Sequence, residues 1–280
     1  MIERILVPTD FSPQAESALK VAAQVAKKNN AEIYLLHIID LPDYSNDLVI
    51  SGNSAPAPPA ILFMQQTHLK YEEYKDKDYL EGITVKETVS FEGMQKGVSD
   101  TCTNNDIDLI IMGSNGASGV KELFIGSNSE KIVRFSKIPV LVIKNECDLF
   151  NIKNFVYASS FEEEDKLTLL AAYNFSKEID ATFNLVWINT SSKFRTTHYI
   201  EHKMNSLLST LPIEDYTLNI YNDETIEKGI MNFANTIKAG IIGMGTHGRT
   251  GISHFVNGSI SEDMVNHAKR PVITFRIPAN

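Results

Sequence analysis

One glycine pattern occurs twice in this chain, and it constrains the fold more than any other feature. The first copy runs Gly113-Ser-Asn-Gly116 and is separated by nine residues from Gly126-Ser127. The second copy runs Gly245-Thr-His-Gly248 and is separated by the same interval from Gly258-Ser259. Each copy follows a short apolar run and precedes a segment with helical spacing. The pattern therefore predicts a strand, a glycine loop and a helix start in each half of the chain.

Strands and helices alternate in the same order along both halves. A strand at Ile5–Pro8 precedes a helix that Ser12-Pro13 starts, and a strand at Phe155–Ala158 precedes a helix at Glu163–Ile179. Such alternation predicts an α/β fold, in which parallel sheets carry helices on both faces. We expect two similar domains, residues 1–146 and 147–280, that meet in the polar stretch Asn145–Asn154. The Pro-rich loop of residues 51–60 accounts for most of the extra length of the first half.

Charge and composition narrow the classes of partner. The 280 residues carry a net charge of −9, which argues against a nucleic-acid partner because phosphate backbones need a basic face. The chain has no apolar run long enough to span a bilayer, and its first residues lack the apolar core of a signal peptide. We expect a cytoplasmic protein with no membrane partner and two reduced thiols, Cys102 and Cys147.

The first glycine loop predicts an anion site. A helix that begins near Gly126 presents unpaired N–H groups and a partial positive charge. The side chains of Ser127 and Asn128 add hydrogen bonds to an anion, and Gly113 and Gly116 let the backbone turn and approach a ligand. Ligands of parallel sheets bind beyond the carboxyl ends of the strands, where the strand order reverses.

Asp10 follows the first strand and is the candidate residue for the opposite end of the same site. Its carboxylate would repel phosphate, so it is suited to accept hydrogen bonds from ribose hydroxyls or base N–H groups. Backbone groups of Ile38, at the end of the second strand, are expected to face the base. The alternative role of Asp10 is that of a helix-start residue, two positions before the Ser12 cap.

The second half lacks this carboxylate. Aligning Phe161 with Phe11 places Ser160 where the first half has Asp10. A hydrogen bond to a charged group contributes about 1.5–3 kcal/mol, so its loss weakens binding about tenfold to a hundredfold. The second glycine loop carries Arg249, a candidate phosphate partner. Weak binding, a different ligand and a purely structural role all remain open for this half.

The double glycine pattern, together with Val7-Pro-Thr-Asp10-Phe-Ser and Leu36-His-Ile-Ile-Asp40, resembles the universal stress protein family in its tandem form. The resemblance implies, in each half, a five-stranded parallel sheet with strand order 3-2-1-4-5. It also implies binding of ATP or another adenine nucleotide, with Mg²⁺ as an accompanying ion. The implied contacts are Asp10 and Ile38 for the nucleoside, then Met112, Gly113, Gly116, Gly126, Ser127 and Asn128 for ribose and phosphates, and Gly245, Gly248, Gly258 and Ser259 in the second half.

The two loops differ in how well they match this family. The first loop reads Ser-Asn-Gly-Ala-Ser-Gly, where the family more often has His-Gly-Arg or His-Gly-Lys. The second reads Thr-His-Gly-Arg-Thr-Gly and matches better. The better loop and the better nucleoside end therefore lie in different halves, which leaves the number of occupied sites open.

We predict a regulatory stress-response protein rather than an enzyme. No P-loop lysine motif is present, and no residues supply a base for phosphoryl transfer. The alternatives are a weak ATPase and a nucleotide-independent interaction module. The module would use the fifth strands, Val140–Ile143 and Val272–Phe275, as assembly surfaces. The family resemblance implies that these edges pair between domains, so we expect the two halves to pair within the chain, with a homodimer as a further association. His198-Tyr-Ile-Glu201-His202 matches a zinc-peptidase spelling, but we interpret it as part of a surface helix with no metal.

Overall fold

The structure, a computed structural model, describes residues 1–39, 59–114, 126–144, 150–246, 264 and 268–277. Its described strands are β1 (Arg4–Pro8), β2 (Glu32–Ile38), β3 (Val85–Ser90), β4 (Leu109–Gly113), β5 (Val140–Ile143), β6 (Asn154–Ala158), β7 (Thr182–Thr190), β8 (Tyr216–Asp223), β9 (Ile241–Thr246) and β10 (Val272–Arg276). Its described α-helices are α1 (Pro13–Asn29), α2 (Pro59–Lys75), α3 (Met94–Asn104), α4 (Ser127–Phe135), α5 (Lys166–Glu178), α6 (Thr197–Leu208) and α7 (Ile226–Thr236).

These strands form one sheet in the order β3-β2-β1-β4-β5-β10-β9-β6-β7-β8. The first half has the strand order 3-2-1-4-5. The second half has the same order when it is read from the β8 edge inward. Neighbours are parallel within each half, and β5 and β10 are antiparallel to each other. The α/β fold class and the strand order are thus confirmed. The expected boundary between residues 146 and 147 lies outside the described residues.

In the first half, alternating strand residues pack into two apolar cores, one on each face of the sheet. Ile5 and Val7 pack with α1 on one face, whereas Leu6 packs on the other face with residues of α3 and α4. Strands that bury both faces have near-continuous apolar sequences, which is why β4 and β5 are buried throughout. The helices thereby cover both faces and leave the carboxyl ends of the strands open to a ligand, at one edge of the sheet in the first half and at the opposite edge in the second, because β5 and β10 are antiparallel.

The helix-start signal of Ser12-Pro13 is confirmed in detail. Ser12 caps α1, and its Oγ accepts a hydrogen bond from the backbone N–H of Ala15 at 3.2 Å. Pro13 is the first helical residue, where its missing N–H costs nothing. The helix ends at Asn30, which has φ 54° and is an amide residue that tolerates the left-handed region.

Several element boundaries differ from the sequence prediction. The sequence pattern predicts one amphipathic helix over Ile61–Leu80, whereas the structure has α2 at Pro59–Lys75 and a separate 3-10 helix at Asp78–Leu80. The pattern predicts a strand over Thr182–Ile188, whereas β7 extends to Thr190, because β8 pairs with it from Phe183 to Thr190. The pattern also predicts a helix over Gly258–Lys269, which falls almost wholly outside the described residues. In the part of the chain that the structure describes, no helix is long and apolar enough to cross a membrane.

Candidate functional site

The candidate site of the first half lies where the sheet changes direction. From β1 the chain passes through α1 to β2 on one side, and it later returns through α3 to β4 on the other side of β1. Parallel sheets bind ligands at the crevice beyond the carboxyl ends of two such strands. The residues that follow β1 and β4 are Thr9-Asp10 and Ser114. The topology thus places Asp10 and Ser114, a residue of the first glycine loop, at the same edge of the sheet.

Asp10 takes the helix-start role that the sequence left open as an alternative. Its Oδ1 accepts a hydrogen bond from the backbone N–H of Ser12 at 3.0 Å. The turn is tightened by Phe11, which has φ 61° and donates its backbone N–H to Thr9 Oγ1 at 3.0 Å. The Asp10 side chain remains exposed at the edge of the sheet. This role is compatible with a ligand contact, since a carboxylate has acceptor sites on two oxygens.

The start of α4 is held next to the end of β4. Gly126 is the N-cap of α4, and its backbone N–H donates to the carbonyl of Ser114 at 2.8 Å. The buried hydroxyl of Ser129 donates to the carbonyl of Gly113 at 3.0 Å. Its N-cap residue is a glycine and supplies no side-chain hydrogen bond, and Ser127 and Asn128 are exposed in the first turn. Uncapped N–H groups with the positive end of the helix dipole make this turn suited to bind an anion.

Gly113 has a packing role that the sequence did not indicate. A Cβ atom at this position would lie 2.9 Å from the carbonyl oxygen of Gln14 and 3.0 Å from its carbonyl carbon. The glycine therefore allows β4 to contact the first turn of α1, whatever it also does for a ligand. The side chain of Met112 is buried in the core between the sheet and α4. Gly116 lies outside the described residues.

A cavity of about 300 Å³ opens at the end of β2, beneath α2. Its walls include Ile38, the predicted base-facing residue, together with His37 and Lys70. The Nδ1 atom of His37 lies 2.8 Å from the carbonyl oxygen of Thr9, and the His37 ring packs against Phe11. These contacts tie the end of β2 to the turn that carries Asp10.

The second half keeps a carboxylate at its turn, but at a different position in the sequence. Asp165 is 6% exposed, and its Oδ2 accepts hydrogen bonds from Ser159 Oγ at 2.8 Å and Ser160 Oγ at 3.0 Å. The same oxygen accepts the backbone N–H of Glu162 at 3.2 Å. In the first half the corresponding backbone donor is bound by Asp10. The carboxylate in the second half is therefore buried and occupied by donors of the protein itself.

A cavity of about 710 Å³ lies above this turn, at the carboxyl ends of β6 and β7. Its apolar walls include Val186, Ile188 and Ile226, and cations of the β7–α6 connection, Lys193 and Arg195, also line it. The side chain of Asn189 bonds both the N–H and the carbonyl of Arg195, at 3.0 and 3.2 Å, which fixes this connection. A cavity of this volume is in the range of small-molecule sites.

Trp187 lines the same cavity, although an aromatic residue in a predicted strand indicates only packing. Its ring stacks on Phe161, with centroids 6.3 Å apart and an angle of 18° between the planes. The ammonium of Lys203 lies 5.4 Å from the Trp187 ring centroid and also pairs with Glu162. Trp187 therefore packs against the turn and borders the cavity at once.

Of the other predicted site residues of the second half, some lie within the described residues and some do not. Gly245 is described, and a Cβ there would lie 3.0 Å from the Ile277 side chain. Gly248, Arg249, Gly258 and Ser259 lie outside the described residues. His198 and His202 are exposed on α6, in agreement with the surface-helix interpretation.

Comparisons with known proteins agree with this architecture. The sequence profile of the universal stress protein family matches residues 1–144 and 219–276. Universal stress protein MJ0577 of Methanocaldococcus jannaschii is 32% identical over 157 residues, which are 52% of this chain and 97% of that protein. Universal stress protein YxiE of Bacillus subtilis is 27% identical over 159 residues, 51% of this chain and 100% of its own length.

A solved structure matches the whole chain. The universal stress protein from Archaeoglobus fulgidus has a TM-score of 0.71 and 22% sequence identity, and the match covers 98% of both chains. At this identity the match shows the shared fold. The single-length relatives cover about half of the chain, as expected for a chain built from two similar units.

Proposed function

Since the chain belongs to the universal stress protein family, we propose that its first half binds ATP or another adenine nucleotide as a regulatory ligand in the stress response. One observation carries the proposal. The uncapped start of α4 is fixed to the end of β4 at the point where the strand order reverses, and Asp10 follows the adjacent strand β1. In this arrangement Gly126, Ser127 and Asn128 would bind phosphate oxygens, with Mg²⁺ as a counter-ion.

The nucleoside end of the proposed site follows from charge. A carboxylate is a poor neighbour for phosphate but a good acceptor for ribose hydroxyls, so Asp10 orients the nucleotide with its phosphates toward α4. Backbone groups near Ile38 would contact the base. Met112 and Gly113 would contact the ligand through their backbone, because the Met112 side chain is buried and Gly113 has none.

Replacing Asp10 with asparagine is expected to weaken nucleotide binding about tenfold to a hundredfold, the equivalent of one charged hydrogen bond. Asparagine retains a side-chain oxygen for the Ser12 N–H, so the turn should stay folded. Isothermal titration calorimetry with ATP, ADP and AMP measures the change. The matched control is Asp106→Asn, because Asp106 is exposed and precedes β4 at the opposite end of the sheet. Equal affinity of the Asp10 variant, or no heat from the unmodified protein at millimolar nucleotide, would contradict the proposal.

For the second half we propose a weaker nucleotide site, formed by the 710 Å³ cavity and the second glycine loop. The loop residues would be Gly245, Gly248, Arg249, Gly258 and Ser259. The exposed Asp10 has no counterpart here, because Asp165 is buried and its Oδ2 accepts three hydrogen bonds from the turn. The affinity should therefore be lower than in the first half.

Trp187 offers a direct measurement of this second site, because it is the only tryptophan of the chain. Nucleotide binding at the second site is expected to change its fluorescence only at concentrations about tenfold to a hundredfold above those that saturate the first site. Excitation at the red edge of the tryptophan band avoids adenine absorption. A fluorescence change that follows the first-site calorimetric curve, or none at saturating nucleotide, would argue against a weaker second site.

The alternative functions make different demands on the same protein. An interaction module would need the fifth strands, and the antiparallel ladder between β5 and β10 supports pairing of two domains, 1–146 and 147–280, within one chain. A homodimer would then use another surface. A weak ATPase would show turnover that survives purification and disappears in an Asp10 or Ser127 variant. All three proposals are compatible with a cytoplasmic protein.

A further inference from the structure

The carboxylate of Glu87 lies between apolar residues on one face of β3. Val85 and Val89 pack against the core on the face of β3 that α2 covers, and Glu87 shares that face because side chains alternate along a strand. The Glu87 Oε1 atom is buried, and its partner is the ammonium of Lys75, which lies against it. A carboxylate in such a position is costly unless a cation accompanies it.

Two potential metal ligands of α2 lie above this carboxylate. His68 and Glu72 are four residues apart and so project from the same helix face. The Nδ1 atom of His68 is 3.2 Å from Glu87 Oε2, and the ligand atoms of the three side chains all lie within 4.8 Å of one another. Two carboxylates and an imidazole thus converge from neighbouring elements.

The helix is fixed in position at this point by Tyr71, which lies between the two ligands in sequence. Its side chain is 1% exposed, and its hydroxyl lies 3.0 Å and 2.7 Å from the carbonyl oxygens of Leu35 and Thr88. These contacts set the register of α2 over β3. The backbones of α2 and β3 that carry the three side chains are therefore held together by the fold, independently of the contacts among those side chains.

We propose that His68, Glu72 and Glu87 form a Zn²⁺ site, in which the metal displaces the ammonium of Lys75. Lys75 now serves as the counter-ion, since its Nζ is 3.1 Å from Glu72 Oε1 and also contacts Glu87. Ligands of tetrahedral zinc lie about 3.3 Å apart, because each is about 2.0–2.1 Å from the ion. The pair of His68 and Glu87 already has this spacing, and rotation of Glu72 completes three ligands with water as the fourth.

The ligand set favours zinc over the harder cations. Ca²⁺ and Mg²⁺ prefer oxygen ligands and more of them, whereas zinc takes four ligands and accepts both imidazole nitrogen and carboxylate oxygen. Nothing in this proposal depends on the nucleotide site.

The test is calorimetric titration of the full-length, tag-free protein with zinc chloride, without nucleotide. We expect one equivalent of Zn²⁺ to bind and to raise the melting temperature. His68→Ala and Glu87→Gln should each weaken binding by at least about tenfold, and Lys75→Ala should tighten it about two- to fivefold because the competing ammonium is gone. His68 is largely exposed, so its variant should fold, which circular dichroism checks.

The matched control is His202→Ala on α6. His202 is one helical turn from His198, and the two match the sequence of a zinc-binding motif. In the described residues, however, no third ligand joins that pair. This variant should bind zinc unchanged. Absence of binding by the unmodified protein, full affinity after His68→Ala, loss of affinity after His202→Ala, or no tightening after Lys75→Ala would each overturn the proposal.

Discussion

Replacing Gly113 with serine is expected to destabilise the protein by about 1–3 kcal/mol, which is typical of overpacking a tight contact. A Cβ atom at this position would lie 2.9 Å from the backbone oxygen of Gln14. A flexible side chain could rotate away from such a contact, but a helix backbone cannot. Relief requires α1 to move away from β4, which costs buried apolar contacts along the whole helix. Urea denaturation of the two proteins measures the difference.

Gly93 provides the matched control for this substitution. It also ends a loop at the edge of the sheet, but a Cβ there would meet no atom within 4 Å. Gly93 is the N-cap of α3, where serine is a favoured residue, so Gly93→Ser should be neutral or slightly stabilising. The turn that carries Asp10 leads into α1, so Gly113→Ser should also weaken nucleotide binding. Equal stability of the two serine variants would show that the contact with Gln14 does not constrain the fold.

Local signals in the sequence were sufficient for most of the fold. Ser12-Pro13 specifies a helix start by its own chemistry, and the apolar runs of β4 and β5 specify strands buried on both faces. Such features depend on neighbours in sequence, so they can be interpreted without coordinates. Boundaries that depend on pairing were less accurate. The extension of β7 to Thr190 exists because Asp223 of β8 lies opposite, and nothing within the Trp187–Thr190 segment indicates it.

The glycine loops show a second limit of sequence reasoning. Gly113 was expected to help a ligand approach, and the structure adds that it is required for packing against Gln14. Both purposes give the same residue, so a pattern of glycines cannot separate them. The cavity beside Trp187 was missed for a related reason. An aromatic residue in a strand usually indicates core packing, and only the stacked Phe161 and the fixed β7–α6 connection show that one edge borders a cavity.

The sequence pattern did not indicate the carboxylate of the second half, because it lies at a position that does not align with Asp10. Aligning the two turns places Ser160 opposite Asp10, and the aligned position does lack an acid. Asp165 ends the run Glu162-Glu-Glu-Asp, which is typical of an exposed helix start. The run instead forms a 3-10 helix at Glu163–Asp165, and this short helix turns Asp165 inward beneath the serines. A one-dimensional alignment cannot reveal a substitution that is compensated five residues later.

This difference in position and burial predicts that Asp165 contributes mainly to stability and Asp10 mainly to nucleotide affinity. Asp165→Ala is expected to destabilise the protein by about 3 kcal/mol or more, because Ser159, Ser160 and the Glu162 N–H all lose a buried charged acceptor. Asp10→Ala should cost only about 1 kcal/mol, since the cap-like bond to the Ser12 N–H comes from an exposed side chain, yet it should reduce nucleotide affinity far more. Urea denaturation and calorimetry on both variants separate the effects.

The conservative variant of the same residue sharpens this expectation. Asp165→Asn retains one oxygen that can accept from the two serine hydroxyls, so it should recover part of the stability lost in Asp165→Ala. Equal destabilisation by Asp165→Ala and Asp10→Ala would mean that the buried network adds no more than an exposed cap. The expected inequality follows from burial, because water can replace a lost partner beside the exposed Asp10 more readily than beside Asp165, which is 6% exposed.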